Sequence, residues 1–496
     1  MPAPPWLADL FFRRMTKILL PLVLGIASGL AKPAFNASEI EGRVSAIIFC
    51  DLDGDRLKDA VLVDGTNVSI LHQDSRQRFS RGTHQEYRLD DRPAVVWPAK
   101  LGRSAESLLI MTSEGLTELY FTNRAGLPTG RQIIKQQTII PDALEETRVM
   151  TFPLSAATGT DWPLLLVPVA GGLQVWEHRD AWRQAQFIER AVGHQIRASV
   201  TNAGYTQSFE LSVTLQDVNG DRRDDLMVMR NLPAEMQAYA LYLQTSQNVF
   251  TAEAALTFTN RADWRTDLAW VDVNRDGKLD LIKSTFLDEP FFIPGMRSGK
   301  VLVAVHRADE RGRIPTEPQQ VFRKNDWSSA LPVVDVDGDG FMDLVLGHIP
   351  LSTREGLRKI VTAQQIDLSL RCYFNRSGAG FPTVPDCQRD VLMRFHREFY
   401  FTAERRLYYE QFVSLNGDFN GDGRKDLLVK DRGDEISVYF FVSRAKGFNS
   451  TADLRFKCPE PIDWWDVRDL NSDGVTDLIV NVQNRDAFRI FISQPK

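Results

Sequence analysis

The sequence predicts an all-β chain in which eight four-stranded antiparallel blades close into a β-propeller. Three observations carry this reading: a nine-residue acidic motif occurs six times, short β-rich runs flank each copy, and one gap between copies is about three steps wide. The chain has 496 residues, 43% hydrophobic and 25% charged, with 24 Pro and 32 Gly, which excludes a low-complexity or collagen-like polymer and allows a sizeable core.

The motif is Asp-x-Asp/Asn-x-Asp-x-x-x-Asp. Its first copy is Asp51, Asp53, Asp55 and Asp59, with Leu57 at the seventh place. The second is Asp217, Asn219, Asp221 and Asp225, with Arg223; the third is Asp272, Asn274, Asp276 and Asp280, with Lys278. The fourth is Asp335, Asp337, Asp339 and Asp343, with Phe341; the fifth is Asp418, Asn420, Asp422 and Asp426, with Arg424. The sixth is Asp469, Asn471, Asp473 and Asp477, with Val475.

Around each copy one apolar run enters and another leaves, as in Leu331-Pro332-Val333-Val334 and Asp343-Leu344-Val345-Leu346, which reads as strand, loop, strand. A further run such as Ile436 to Phe441 follows, and the Gly447-Phe448 pair opens the next segment, so a unit holds roughly four strands. First aspartates are spaced 166, 55, 63, 83 and 51 residues apart. The 166-residue gap predicts two degenerate units, near Lys100 to Met111 and Ala156 to Pro168, where Leu108-Leu109-Ile110-Met111 and Leu164-Leu165-Leu166-Val167 keep the exit strand without the acids. That makes eight blades, or seven if one degenerate unit is an elaborated loop. The predicted propeller covers residues 38–496, and the 83-residue step predicts an insertion at about 349–411. Face loops are where propellers tend to bind, and this segment is dense in basic and aromatic residues, including Arg394, His396, Arg397, Tyr400, Arg405, Arg406, Tyr408 and Tyr409. Packing of the segment onto its blade accounts for them equally well.

The motif's chemistry is that of calcium. A hard cation takes six to eight oxygens at about 2.3–2.6 Å, and a tight loop with side-chain oxygens at places one, three and five wraps them round one point. The seventh place would give its backbone carbonyl, which fits the variety of side chains there, and the ninth aspartate would close the sphere as a bidentate ligand. Gly277, Gly340, Gly423 and Gly474 permit the turn at place six, whereas Arg56 and Arg222 put the turn geometry of their two loops in doubt. Asp and Asn favour turns anyway, but six copies in one register exceed that tendency. No Glu stands at place twelve and strands flank the loop, so an EF-hand sensor is excluded. The motifs hold twenty carboxylates in a chain of net charge −6, and six structural Ca2+ ions would bring it to +6, so folding and metal binding should be coupled.

At these motifs the chain resembles the FG-GAP/VCBS repeat family, found in integrin α-subunits and exported bacterial proteins; the run Asp418 to Val429 is close to the family's usual form. The resemblance implies a propeller whose calcium loops join the inner two strands of each blade on one face of the disc. It implies no metal in the two degenerate units. The family's Phe-Gly and Gly-Ala-Pro signatures are mostly missing, so an integrin-like role is not implied.

Residues 1–31 read as a secretory signal, because Ile18 to Ala31 is an apolar run too short to cross a bilayer, preceded by Arg13, Arg14 and Lys17. Met15 is an alternative start, and an uncleaved anchor is the competing reading. The predicted location is secreted or periplasmic. In that setting Cys372 and Cys387, joined by a short loop, are the expected disulfide, while Cys50 and Cys458 either pair across the ring closure or remain buried thiols. Asn36, Asn67, Asn375 and Asn449 begin glycosylation sequons, Arg432-Gly433-Asp434 reads as a hairpin turn rather than an adhesion tripeptide, and Trp464 and Trp465 read as packing residues.

No H-E-x-x-H, G-x-S-x-G or phosphate loop is present, so no catalytic residue and no organic cofactor site is assigned. The expected function is an exported calcium-binding, non-catalytic scaffold that holds a protein or glycan ligand on a propeller face, without nucleic acid. Membrane contact is expected only through a partner or an uncleaved signal. The alternative is a calcium-dependent carbohydrate-active enzyme such as a polysaccharide lyase, drawing a base and cationic cleft from the basic residues of 349–411.

Overall fold

A computed structural model describes residues 33–494 apart from 42–45, 91, 122–125, 141–153, 157–161, 190, 192–193, 202–203, 212, 233–235, 246–248, 262–265, 289–290, 294–295, 311, 328–332, 351–355, 357, 360–364, 395–412, 433, 460–461 and 483–486. The predicted signal segment and the aromatic and basic cluster at 396–409 lie outside the described residues. No helix among the described residues is long and apolar enough to cross a membrane.

The strands form eight antiparallel blades of four. The first blade is Ala46–Cys50, Asp59–Asp64, Asn67–Gln73 and Phe79–Arg88, paired in sequence order. The second and third, over 95–135 and 155–189, are the two degenerate units, and Ser107–Thr112 and Leu164–Val169 are the exit strands expected for them. Blades four, five and seven occupy 213–261, 266–327 and 413–457. The sixth is Val333–Val334, Asp343–His348, Gln365–Tyr373 and Cys387–Arg394, so the segment expected as an insertion contains the blade's own third and fourth strands.

The eighth blade closes the ring. Ile462–Arg468, Asp477–Val482 and Ala487–Ser493 supply three strands, and the fourth is Phe35–Glu41 from the other end of the chain, paired from Phe35↔Ser493 to Glu41↔Ala487. A closed ring removes the exposed sheet faces that an open array of blades would leave.

Burial follows place within the blade. Second strands are buried along their length, as all six residues of Leu164–Val169 are, because blades pack on both of their faces. The fourth strand Trp182–Glu189 is mostly exposed, as an outer edge should be. The core therefore lies between blades: Ile48, Val61, Val96 and Leu108 join the first to the second, and Ile40, Phe49, Ile479 and Ile490 join the eighth to the first. Two ribbons pair outside the four-stranded blades, His194–Thr201 with Gly204–Leu211, and Phe441–Ser443 with Gly447–Phe448, the second packed into the core between the sixth and seventh blades.

Candidate metal centre

Each acidic motif is the loop between the first and second strands of its blade, in blades one, four, five, six, seven and eight. The residue at place two, Leu52, Val218, Val273, Val336, Phe419 or Leu470, is buried in the core, which anchors the loop and turns places one, three and five away from it.

The first aspartate holds the turn. One of its oxygens accepts the N–H of place four or five: Gly54, Gly220, Gly338 and Gly421 at 2.7–2.8 Å, or Asp276 and Asp473 at 3.2–3.3 Å. The other accepts the N–H of place six in all six loops. Place six is left-handed throughout, including Arg56 at φ 73° and Arg222 at φ 67°, so the two loops without glycine there keep the same turn at the expense of some strain. Place four is left-handed too, a requirement the sequence reading overlooked; Arg275 and Ser472 meet it without glycine.

The ninth aspartate is 0–1% exposed in every loop. Its Oδ2 accepts the N–H of place two at 2.7–3.1 Å. Its Oδ1 accepts a backbone N–H beyond the blade's third strand or at its end, from Gln73, Gln244, Ala308, Asn375, Phe441 or Ser493, at 2.7–3.3 Å. This carboxylate therefore clasps the loop to the blade before any metal is considered. In five of the loops burial raises the pKa above the usual carboxylate range, to about 6 for Asp225 and Asp280 and about 7 for Asp343, Asp426 and Asp477, against the lowering effect of the backbone donors.

The acidic loops of neighbouring blades touch one another in an arc. Lys58 N–H donates to Leu470 O at 2.8 Å, Leu279 to Val218 O at 2.9 Å, Lys425 to Val336 O at 2.8 Å, and Thr476 to Asp418 O at 2.7 Å. The same contact links the first loop to the degenerate second blade, where Glu106 N–H donates to Asp51 O at 2.7 Å. In that blade Glu118, fully buried, takes Arg103, Arg131 and Ser107 as partners, an ion network where the acidic loop has been lost. In the third blade Trp162 stacks on His178 with ring centroids 3.7 Å apart.

Donor chemistry fits a hard cation. In the first loop one oxygen each from Asp51, Asp53 and Asp55 lie within 4.8 Å of one another, as do those of Asp335, Asp337 and Asp343 in the sixth blade. Four loops carry Asn at place three, and its Nδ2 donates to the place-five carboxylate: Asn219 to Asp221 at 3.3 Å, and Asn274, Asn420 and Asn471 to Asp276, Asp422 and Asp473 at 3.1 Å. The two loops with Asp at place three each receive a basic group from elsewhere. His72 Nδ1 stands 3.0 Å from Asp59 and 3.7 Å from Asp53, and Arg444 of the seventh blade pairs with Asp337 and Asp339. Neither was visible as part of the motif.

Cys372 and Cys387 occupy facing positions on neighbouring strands, and all four cysteines are buried free thiols here. Asn375 is fully buried and its Nδ2 donates to Val273 O at 2.7 Å, so that sequon is not open to modification. In the strand register Arg432 lies opposite Glu435, with Gly433 outside the described residues, and Trp465 packs on the eighth-blade core.

Eight antiparallel blades with acidic loops linked in succession define a closed repeat propeller. An FG-GAP-like repeat family model matches residues 217–282, which span the loops of the fourth and fifth blades, and this match and the eight blades fit an FG-GAP/VCBS-type propeller. A search of curated proteins gives no match. Among solved structures, an Agrocybe aegerita lectin described as recognising non-reducing terminal N-acetylglucosamine is similar over 77% of this chain and 84% of its own, at 12% identity and TM-score 0.34. BBS1N in complex with ARL6DN, soaked with lead, is similar over 94% and 99%, at 9% identity and TM-score 0.36. At these scores neither likeness carries an argument.

Proposed function

We propose that the chain is an exported, calcium-loaded propeller that works as a non-catalytic binding scaffold, with a protein or glycan ligand held on a face of the ring. The propeller fold with FG-GAP repeats supports a binding module in general terms. The observation that supports the calcium reading is the acidic motif repeated in six loops of one backbone geometry, with three carboxylate oxygens converging in the loops of the first and sixth blades. In such a ring each ion ties two strands of one blade and stiffens the contact to the next. Calcium would thus set the rigidity of the surface offered to a partner. Export supplies both the calcium and the oxidising medium in which Cys372 and Cys387 would join.

The test is a thermal melt of the full chain in calcium and after calcium removal by chelation, followed by binding of acidic polysaccharides and candidate proteins in both states. A higher melting temperature with calcium and binding only in the loaded form support the proposal. A melting curve indifferent to calcium refutes it, and depolymerisation of an acidic glycan by the loaded protein replaces the scaffold with an enzyme.

A further inference from the structure

We propose that the loop of the sixth blade, Asp335 to Asp343, is closed by Arg444 of the seventh blade in place of a calcium ion, so that the chain takes calcium at five loops and not six. This rests on the calcium reading above and sharpens it.

The loops fall into two chemical kinds. Where place three is Asn, its amide donates to the place-five carboxylate, and the loop holds three carboxylates. In the sixth blade place three is Asp337, so two carboxylates, Asp337 and Asp339, stand where an amide and a carboxylate would otherwise meet. Arg444 lies between them: its Nε donates to Asp337 Oδ2 and its Nη2 to Asp339 Oδ2. A guanidinium is a permanent cation whose planar fork suits two carboxylate oxygens at once. Arg223 and Arg424 also meet the place-five carboxylates Asp221 and Asp422 of their own loops, but each engages that one carboxylate alone, whereas Arg444 comes from the next blade and spans the carboxylates of places three and five together.

Arg444 is held in place by its surroundings. It sits on the turn after Phe441–Ser443, where Lys446 N–H closes onto Ser443 O at 3.1 Å. Phe441 packs edge-on against Phe374 of the sixth blade, centroids 5.8 Å apart, and against Phe448 at 5.6 Å. Phe441 N–H is one of the two donors clasping Asp426. The ribbon carrying Arg444 is therefore fixed to both blades, and the side chain gives up little freedom in reaching the loop. Asp337 is only 6% exposed, so water competes weakly at that carboxylate, while Asp339 and Arg444 are partly open to solvent. A calcium ion would need the oxygens of Asp337 and Asp339 that the guanidinium engages, and would meet its positive charge a few ångströms away. The other Asp-type loop, in the first blade, receives an imidazole on Asp59 and Asp53 and no guanidinium, and it stays among the calcium loops.

The experiment counts calcium per full-length chain by elemental analysis after dialysis to saturation, for wild type, Arg444→Gln, Asp335→Asn and Asp418→Asn. Wild type should hold five ions, Arg444→Gln six, Asp335→Asn five and Asp418→Asn four. Six ions in wild type overturn the inference while leaving the calcium reading intact, as does a count that Asp335→Asn lowers. No calcium in any form overturns both. Should Arg444→Gln fail to fold, the comparison of Asp335→Asn with Asp418→Asn decides alone.

Discussion

Replacing Asp426 by alanine separates its two roles, clasp and metal ligand. Its carboxylate is fully buried and accepts Phe419 N–H at 2.7 Å and Phe441 N–H at 3.0 Å. A buried backbone donor left without a partner costs about 1–3 kcal/mol, so losing both acceptors should cost about 2–6 kcal/mol, less whatever is regained by no longer burying the carboxyl group. Asp426→Asn keeps one acceptor and should cost about half as much. Asp422, at place five of the same loop, is partly buried and accepts Arg424 N–H at 3.0 Å, Asn420 Nδ2 at 3.1 Å and the Arg424 guanidinium, partners that can turn to water once it is gone, so Asp422→Ala should cost about 1–2 kcal/mol, less than Asp426→Ala. The assay is the chemical-denaturation midpoint of the three variants and wild type in excess chelator, where no calcium contributes. Equal midpoints for Asp426→Ala and Asp422→Ala would refute the clasp and leave the ninth aspartate as a ligand alone.

In calcium-free protein the raised carboxyl groups of Asp225, Asp280, Asp343, Asp426 and Asp477 titrate near 6 to 7 when folded and near about 3.9 when unfolded, so the unfolded chain loses its protons first and stability should fall as pH rises from about 4 to 7. Melts of calcium-stripped protein at pH 5 and 7.5 check this; a higher melting temperature at pH 7.5 counts against the burial argument. Gly220→Ala should destabilise strongly, because a Cβ there would stand 2.5 Å from Gly277 O, whereas Gly423→Ala, with nothing within 4 Å, should cost only the left-handed strain of about 1–2 kcal/mol; a comparison of melting temperatures decides. Air-oxidised protein should yield a Cys372–Cys387 linked peptide on non-reducing digestion, and exclusive pairing of either residue with Cys50 or Cys458 counts against the strand register.

What could be read from the sequence was whatever chemistry forces identity in register. Four side chains must meet at each loop, so the six motifs stood out, and Leu108 to Met111 and Leu164 to Val167 marked the degenerate blades because a strand covered on both faces must be apolar throughout. Partners distant in sequence were not legible. Phe35–Glu41 carries no strand signature of its own and is a strand because the eighth blade has an edge to fill. Gln365–Tyr373 and Cys387–Arg394 were hidden in the expected insertion because an excess of length does not say where it is placed. Arg444 and His72 reach their loops through the closure of blades and strands, and no spacing within the motif points to either. The double backbone engagement of the ninth aspartate was equally hidden, since a buried clasp and a bidentate ligand ask for the same residue.

The strand Phe35–Glu41 pairs with Ala487–Ser493, nearly the whole chain away. During synthesis the first of these leaves the ribosome early and waits, with unpaired N–H and C=O groups along its length, until Ala487–Ser493 is made. The ring consequently has no complete intermediate: an array of seven finished blades still has an open edge at each end, and closing it brings together ends separated by the longest loop the chain can form. Arrest of translation before Ala487–Ser493 would leave a product with two sticky edges.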